Sequence, residues 1–327
     1  MQFLRASLSH LSRRGLANDT TMKLTFATRP SALACWQTKW VINALQKIHS
    51  DLECEEKVIT TQGDKILDKP LPEIGGKGLF TQELESELLN GHVHCAVHSL
   101  KDLPVENPTG LTIGCIPTRG EARDALVSAN GYTLATLPAN ASVGTSSLRR
   151  SAQLLSLGPD LRIQSLRGNV DTRVRKALDG QYDAILLAGA GLTRLGLGNH
   201  VTEWLSLGVM LPAPGQGALA VQCRADDQAT LSLLAKLEDD STRKCVTAER
   251  AFLNGLGGGC AVPVAAFANV EGQTSKVINL TGLVISEDGM IAVKVTGQDT
   301  DALQLGNELA KKAIGQGADE ILSAVLN

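Results

Sequence analysis

ASVGTSSLRRSAQLLSLGPDLRIQSLRGNVDTRVRKALDGQYDAILLAG, residues 141–189, reads as strand, helix, strand, helix, strand. ASVGT, LRIQSL and YDAILLAG are short apolar runs bounded by turn residues, and SLRRSAQLLSLG and NVDTRVRKALDG have helical character. Such alternation builds α/β units on a parallel sheet. The scheme continues toward the N-terminus. LTFATR (24–29) is a strand, and Ser31 then caps a helix with apolar Leu33, Trp36, Trp40, Val41, Leu45 and Ile48. CEEKVITT is a strand, FTQELESELLNG a helix ending at Gly91, and VHCAV (93–97) a strand. Residues 62–78, QGDKILDKPLPEIGGKG, collect Gly, Pro and charge and read as a long mobile loop, a candidate lid. ALVSA is a further strand, and so is ALAVQCR (218–224), reached after LPAPGQG. The last ninety or so residues change character. The helix STRKCVTAERAFLNGL leads to the strands VPVAAFA, KVINLTGLVIS and MIAVKVTG, and one helix over 302–326 closes a small α+β unit.

The 327 residues suffice for two or three domains, with 43% hydrophobic and 20% charged residues. A net charge of -3 gives no bulk attraction to nucleic acid or an anionic membrane, and no apolar run approaches a bilayer span. The seven cysteines include no C-x-x-C pair, which argues against a disulfide framework and for a reducing compartment. Residues 1–21 carry Arg5, Arg13 and Arg14, several serines and no acid before Asp19. That composition fits an organellar transit peptide, but Met22 would serve equally well as a start. The segment is set aside from the fold, and the expected compartment is the cytoplasm, or an organelle if the segment is a transit peptide.

Chemistry concentrates at strand–helix junctions. GTSSLRR offers Thr145, Ser146 and Ser147 at a helix start, followed by Arg149 and Arg150. LRGNVDTR repeats the idea with Arg167 and Arg173. Free N–H groups and the positive end of a helix dipole favour anions there, and arginine matches carboxylate and phosphate in bidentate fashion. The implied ligand carries several carboxylates or phosphates. AVHSLKDLP (96–104) brings Ser99, Lys101 and Asp102 out at a strand's carboxyl end, where α/β proteins place their sites. An ionised aspartate there could steady a developing cation and shuttle protons. HVHCAVH spaces His92, His94 and His98 so that a strand would set them on one face, which opens a metal-dependent reading. No other Cys/His cluster supports it, the strand reads as core, and no metal is expected. GGGC, residues 257–260, sets Cys260 on bare backbone, suited to holding or attacking something bulky.

ATRPSALACWQ, GGKGLF, AVHSLKDLP, GTSSLRR, SLRGNVDTR, LAGAGLTRLGL, LPAPGQGALA, TAERAFL and GGGCAVP occur in that order. Together they closely resemble the porphobilinogen deaminase (hydroxymethylbilane synthase) family. The resemblance runs from about Lys23 to the C-terminus. It implies a dipyrromethane cofactor on Cys260 through a thioether, with four porphobilinogen units added head to tail. Ammonia leaves at each addition, and water finally releases hydroxymethylbilane. It implies Asp102 as the catalytic group, facing positive charge that develops on pyrrole nitrogens. Ser99, Lys101, Thr145, Ser147, Arg149, Arg150 and Arg173 would hold the cofactor's carboxylates. Arg29, Arg167, Arg173 and Arg194 would hold substrate or guide the growing chain, with Gln37 and Lys77 in support. The implied fold has two lobes like those of periplasmic binding proteins, 22–117 with 218–235 and then 118–217, followed by a third domain, 236–327. A monomer without nucleic acid or membrane partners is implied. Gly257 stands where many members carry an acid, and Gln164 where many carry a basic residue. A two-lobed anion- or solute-binding protein without catalysis is the competing reading, and it would need neither Asp102 nor Cys260.

Overall fold

The computed structural model describes residues 23–65, 78–158, 160–257, 262–272 and 276–326. Its first sheet starts with β1 (Lys23–Thr28), helix α1 (Ala32–Ile48) and β2 (Glu53–Val58). Ser31 caps α1 as its sequence position implies, its Oγ accepting the Ala34 N–H at 3.2 Å. Next come a short helix α2 (Gln62–Lys65), α3 (Gln82–Leu89), β3 (Cys95–Ser99), a 3-10 turn (Leu100–Asp102) and β4 (Leu111–Cys115). The segment read as loop from residue 62 therefore opens with a helical turn, and residues 66–77 lie outside the described residues.

The second sheet contains β5 (Asp124–Val127), β6 (Ala141–Gly144), β7 (Leu161–Gln164), β8 (Ala184–Ala188) and β9 (Val201–Trp204). Its helices include α4 (Leu148–Leu157), α5 (Val170–Leu178) and α6 (Gly189–Arg194). The chain then returns as β10 (Leu219–Arg224) and α7 (Gln228–Leu234). A third unit follows: α8 (Asp240–Gly255), β11 (Val264–Val270), β12 (Ile278–Ile285), β13 (Ala292–Asp299), α9 (Ala302–Ile314) and α10 (Ala318–Leu326). The single closing helix expected over 302–326 is two helices, because Gly317 takes a φ of +95° between them.

The strand orders are β2-β1-β3-β10-β4, β7-β6-β8-β5-β9 and β11-β12-β13. The first two sheets are not wholly parallel, as strand–helix alternation alone had suggested. β10 runs antiparallel to β3 and β4, and β5 runs antiparallel to β8 and β9. Those strands arrive by crossings between lobes rather than by helical crossovers. Each sheet buries its own apolar set. Leu24, Phe26, Val41, Leu45, Val97 and Val221 lie together beside the first, and Ala125, Leu166, Ile185 and Leu187 beside the second. Phe252, Leu280, Val295 and Leu309 form part of the third core.

The two crossings touch. The Gly120 N–H donates to the Gly217 carbonyl at 3.1 Å. Gly217 has φ +88°, and a Cβ there would sit 2.8 Å from the Glu121 carbonyl oxygen. Gly217→Ala is therefore expected to cost at least about 1–2 kcal/mol from its backbone conformation alone. Thermal unfolding should drop by several degrees, and an unchanged midpoint would show that the crossing yields easily.

Candidate active site

The first lobe's residues come from the carboxyl ends of β1 and β3. Arg29 follows β1 directly, paired with the Asp64 carboxylate through Nη2 and through Nε at 3.2 Å, and its guanidinium lies 4.2 Å from the Phe80 ring centre. Burial alone would raise Asp64, but hydrogen bonds from Arg29 and Thr61 hold it low. Gln37, on the buried face of α1, donates Nε2–H to the Ser99 hydroxyl at 2.8 Å. Past Ser99 the 3-10 turn presents half-buried Lys101 and exposed Asp102, while Leu100 between them and β3 is wholly buried. The third unit fastens this turn. Arg250 of α8 donates to the carbonyls of Leu100, Leu103, Pro104 and Val105, at 3.3, 3.1, 2.6 and 3.0 Å.

The second lobe is organised around Asp124, a wholly buried carboxylate at the start of β5. Arg149 Nη1 donates to its Oδ2 at 2.7 Å, and Arg150 Nε and Nη2 donate to Oδ1 at 3.1 and 2.8 Å. Arg149 Nη1 also reaches the Leu211 carbonyl at 2.7 Å, and Arg150 Nη1 the Leu186 carbonyl at 3.3 Å. Burial opposes the charge on Asp124, but the two guanidiniums override it and hold the carboxyl well below the usual range. All three guanidinium nitrogens of Arg150 thus have partners inside the lobe. These bonds use three of its five N–H donors.

That helix begins beside Thr145, whose Oγ1 accepts the Ser147 N–H at 3.2 Å, and Ser147 makes no side-chain cap bond. The first-turn N–H groups of a helix lack intrahelical partners, so α4 presents its positive end at this edge. α5 does the same after Gly168, which needs its φ of +115°. Arg173 Nε donates to the Gly168 carbonyl at 2.7 Å, and Lys176 Nζ to the Arg167 carbonyl at 3.1 Å. Arg194, on α6, donates Nη2–H to Gly217 at 2.7 Å and lies 5.9 Å from the Trp36 ring centre.

The charges of both lobes act on one another. Burial pulls Lys101 down to about 8, aided by Arg150 and Arg149 and opposed by Asp102 and Asp124. Burial likewise takes Arg173 to about 10, with Arg150 and Arg167 repelling it and Asp102 supporting it. Burial takes Arg194 to about 10. The Asp102 charge thus acts both on a first-lobe ammonium, Lys101, and on a second-lobe guanidinium, Arg173. Across the lobes, Lys101 interacts with Arg149, Arg150 and Asp124, and Asp102 with Arg173, whose other charged neighbours are Arg150 and Arg167. Ser99 lies against Gln37 and Thr145 against Ser147. Arg29 and Gln37 stay on the first-lobe side, Arg29 against Asp64 and Gln37 against Ser99. Cys260 and Lys77 lie outside the described residues.

The histidines separate. His94 Nδ1 accepts the Thr25 N–H at 3.0 Å, His92 lies 3.3 Å from Glu87, and buried His98 is pushed down to about 4 by desolvation. Among the described residues no three His, Cys, Asp or Glu side chains are grouped to hold a metal. Sequence reading missed Asp64, Phe80, Asp124, Gln216 and Arg250. Gln216 and Arg250 sit in quoted stretches, LPAPGQGALA and TAERAFL, but nothing local marks them as partners of the site.

Arginine-loaded helix starts in one α/β lobe and an exposed aspartate at a strand's carboxyl end in the other make up the candidate active site of an enzyme. The family model described as porphobilinogen deaminase, dipyromethane cofactor binding domain, matches residues 24–232, and that of the C-terminal domain matches 243–315. The chain belongs to the porphobilinogen deaminase family. It is 49% identical over 304 residues to the porphobilinogen deaminase of Brevibacillus brevis, covering 93% of this chain and 98% of that one. It is 48% identical to that of Exiguobacterium sp., covering 93% and 99%. Among solved structures, the periplasmic VFT2 domain of Bordetella pertussis BvgS is similar over 66% of this chain and 86% of its own, with TM-score 0.39 and 14% identity. Among the described residues no helix is long and apolar enough to cross a membrane.

Proposed function

We propose that this chain is a transferase that deaminates porphobilinogen and joins four units head to tail, releasing hydroxymethylbilane, on a dipyrromethane held by Cys260. What supports the site assignment is that the exposed Asp102 carboxylate, at the carboxyl end of β3, acts electrostatically on both Lys101 and Arg173. The residues fit a group rich in carboxylates. Two helix starts, the Ser99 and Ser147 hydroxyls, the Lys101 ammonium and the Arg167 and Arg173 guanidiniums supply donors and positive charge without a metal ligand set. When bound, the dipyrromethane supplies a nucleophilic pyrrole carbon as primer.

The chain's own residues do the rest. Arg149 and Arg150, neutralised in part by Asp124, keep the start of α4 rigid and positive. Arg173 and Arg167 bind carboxylates at the start of α5, and Arg29 and Arg194 extend the basic lining. Asp102 would balance positive charge developing on pyrrole nitrogens and serve in proton transfer. Gln37 orients the Ser99 hydroxyl, and Lys77 supports substrate binding. The lobes are taken as 22–117 with 218–235, and 118–217, followed by the third domain 236–327. The place of β10 between β3 and β4 supports the first of these.

Intact mass with a peptide map over Cys260 tests the reading. The purified protein should carry two linked pyrrole units on that peptide, or gain them when porphobilinogen is added. Cys260→Ala should fold, carry no such mass and show no turnover. A parent protein that stays unmodified with porphobilinogen would instead favour ligand binding without catalysis.

A further inference from the structure

Gln216 is wholly buried where the chain crosses back from the second lobe to the first. Its side-chain amide has partners on three sides. Nε2 donates to the Ala122 carbonyl at 2.8 Å and to Asp124 Oδ1 at 2.9 Å, and Oε1 accepts from Lys101 Nζ at 3.4 Å. The chemistry fixes the amide's orientation, because its NH2 must face a carbonyl and a carboxylate while its oxygen faces an ammonium. The backbone around it is equally constrained. The Gln216 carbonyl accepts Arg119 Nε at 2.8 Å, and the Gly215 N–H donates to the buried Glu249 carboxylate at 2.6 Å. Asp124 holds Arg149 and Arg150, so a single buried amide joins first-lobe Lys101 to the second-lobe cluster.

We propose that Gln216 is a positioning residue that ties Lys101 to the Asp124–Arg149–Arg150 cluster across the crossing between lobes, and so sets the aim and charge state of Lys101 beside Asp102. Burial and two neighbouring guanidiniums push Lys101 toward the neutral amine, and the charged groups acting on it include Asp102, Asp124, Arg149 and Arg150. Against that push, the Gln216 oxygen is a fixed acceptor that favours the ammonium. Occupation of the second lobe's anion site would be felt at Lys101 through this amide. The effect on turnover rests on the function proposed above. The effect on Lys101 itself does not, so the two can fail separately.

The test compares the parent with Gln216→Met in the absence of porphobilinogen. Both are treated briefly with acetic anhydride near pH ~6.5, where an amine reacts in its neutral form, and a decrease of one pKa unit raises that fraction close to tenfold. Peptide mass spectrometry should show Lys101 acetylated about three- to tenfold faster in Gln216→Met, with exposed Lys294 unchanged as the internal standard. Steady-state turnover should lose its alkaline limb at a lower pH, with kcat falling more than KM rises. Equal Lys101 reactivity in a folded variant would overturn the proposal. Should the variant not fold, the parent alone decides. The Gln216 side-chain amide resonance must move with pH at the midpoint found for Lys101, and an amide shift flat through that midpoint would overturn it.

Discussion

Asp102→Asn is expected to leave the protein folded and able to take up its cofactor, yet to lower turnover by about 10²–10⁴-fold. The exposed Asp102 side chain contributes little to packing. What the amide loses is the negative charge that acts on Lys101 and Arg173, and with it the capacity to balance cationic pyrrole nitrogen and to accept a proton. Neighbouring ammonium and guanidinium groups make the loss worse, since positive charge developing in the substrate would meet only like charge. Rapid-quench mass spectrometry checks this directly. Porphobilinogen should bind while successive additions to the enzyme slow together. Product formation within a few-fold of the parent would remove Asp102 from the reaction, even with the family assignment intact.

The second large effect is structural. Asp124→Ala leaves Arg149 and Arg150 buried without their carboxylate, and breaking a buried ion pair by removing one partner costs about 3–5 kcal/mol. Gln216 loses an acceptor in the same substitution. Urea unfolding should show the second lobe destabilised by that order, with α4 least protected in hydrogen exchange. Asp124→Asn keeps the volume and loses the charge, and it should fall between parent and Ala. The pH dependence has a definite sign. Asp124 is held below its unfolded value, so its contribution is complete at neutral pH and is lost as pH falls below the ordinary aspartate range near ~3.9. The parent's urea midpoint should decline in acid, and that decline should be shallower in Asp124→Asn. Equal acid sensitivity would show that other carboxylates dominate.

These effects belong to different levels of the chain. Asp102 was readable as a functional candidate because its whole signal is local, a buried strand ending in Ser-Leu-Lys-Asp. The basic helix starts of α4 and α5 were readable for the same reason: short apolar runs, hydroxyls and arginines at a strand-to-helix turn specify both the geometry and its charge over about ten residues. Ser31 at the start of α1 is another local case, since a cap acts on backbone groups two or three residues away.

Long-range pairing was not readable in this way. ALAVQCR could be recognised as a strand, but nothing within it says that it inserts antiparallel between β3 and β4. That choice depends on which sheet edge and which apolar faces remain to be covered after the second lobe forms. That Arg149 and Arg150 share the buried Asp124 carboxylate, 25 and 26 residues earlier, could not be read from the junction itself. Gln216 and Arg250 gained roles only when the crossing segment and α8 met the turn after β3. Closing a long loop costs only slightly more entropy than closing a shorter one, so sequence distance does little to limit such partners. Alternation, capping and charge at junctions follow from sterics and dipoles among neighbouring residues and are written into the chain. The strand order, the buried counter-ion and the amide joining the lobes come from burial of apolar faces and desolvation of charge, which exist only once the whole molecule has folded.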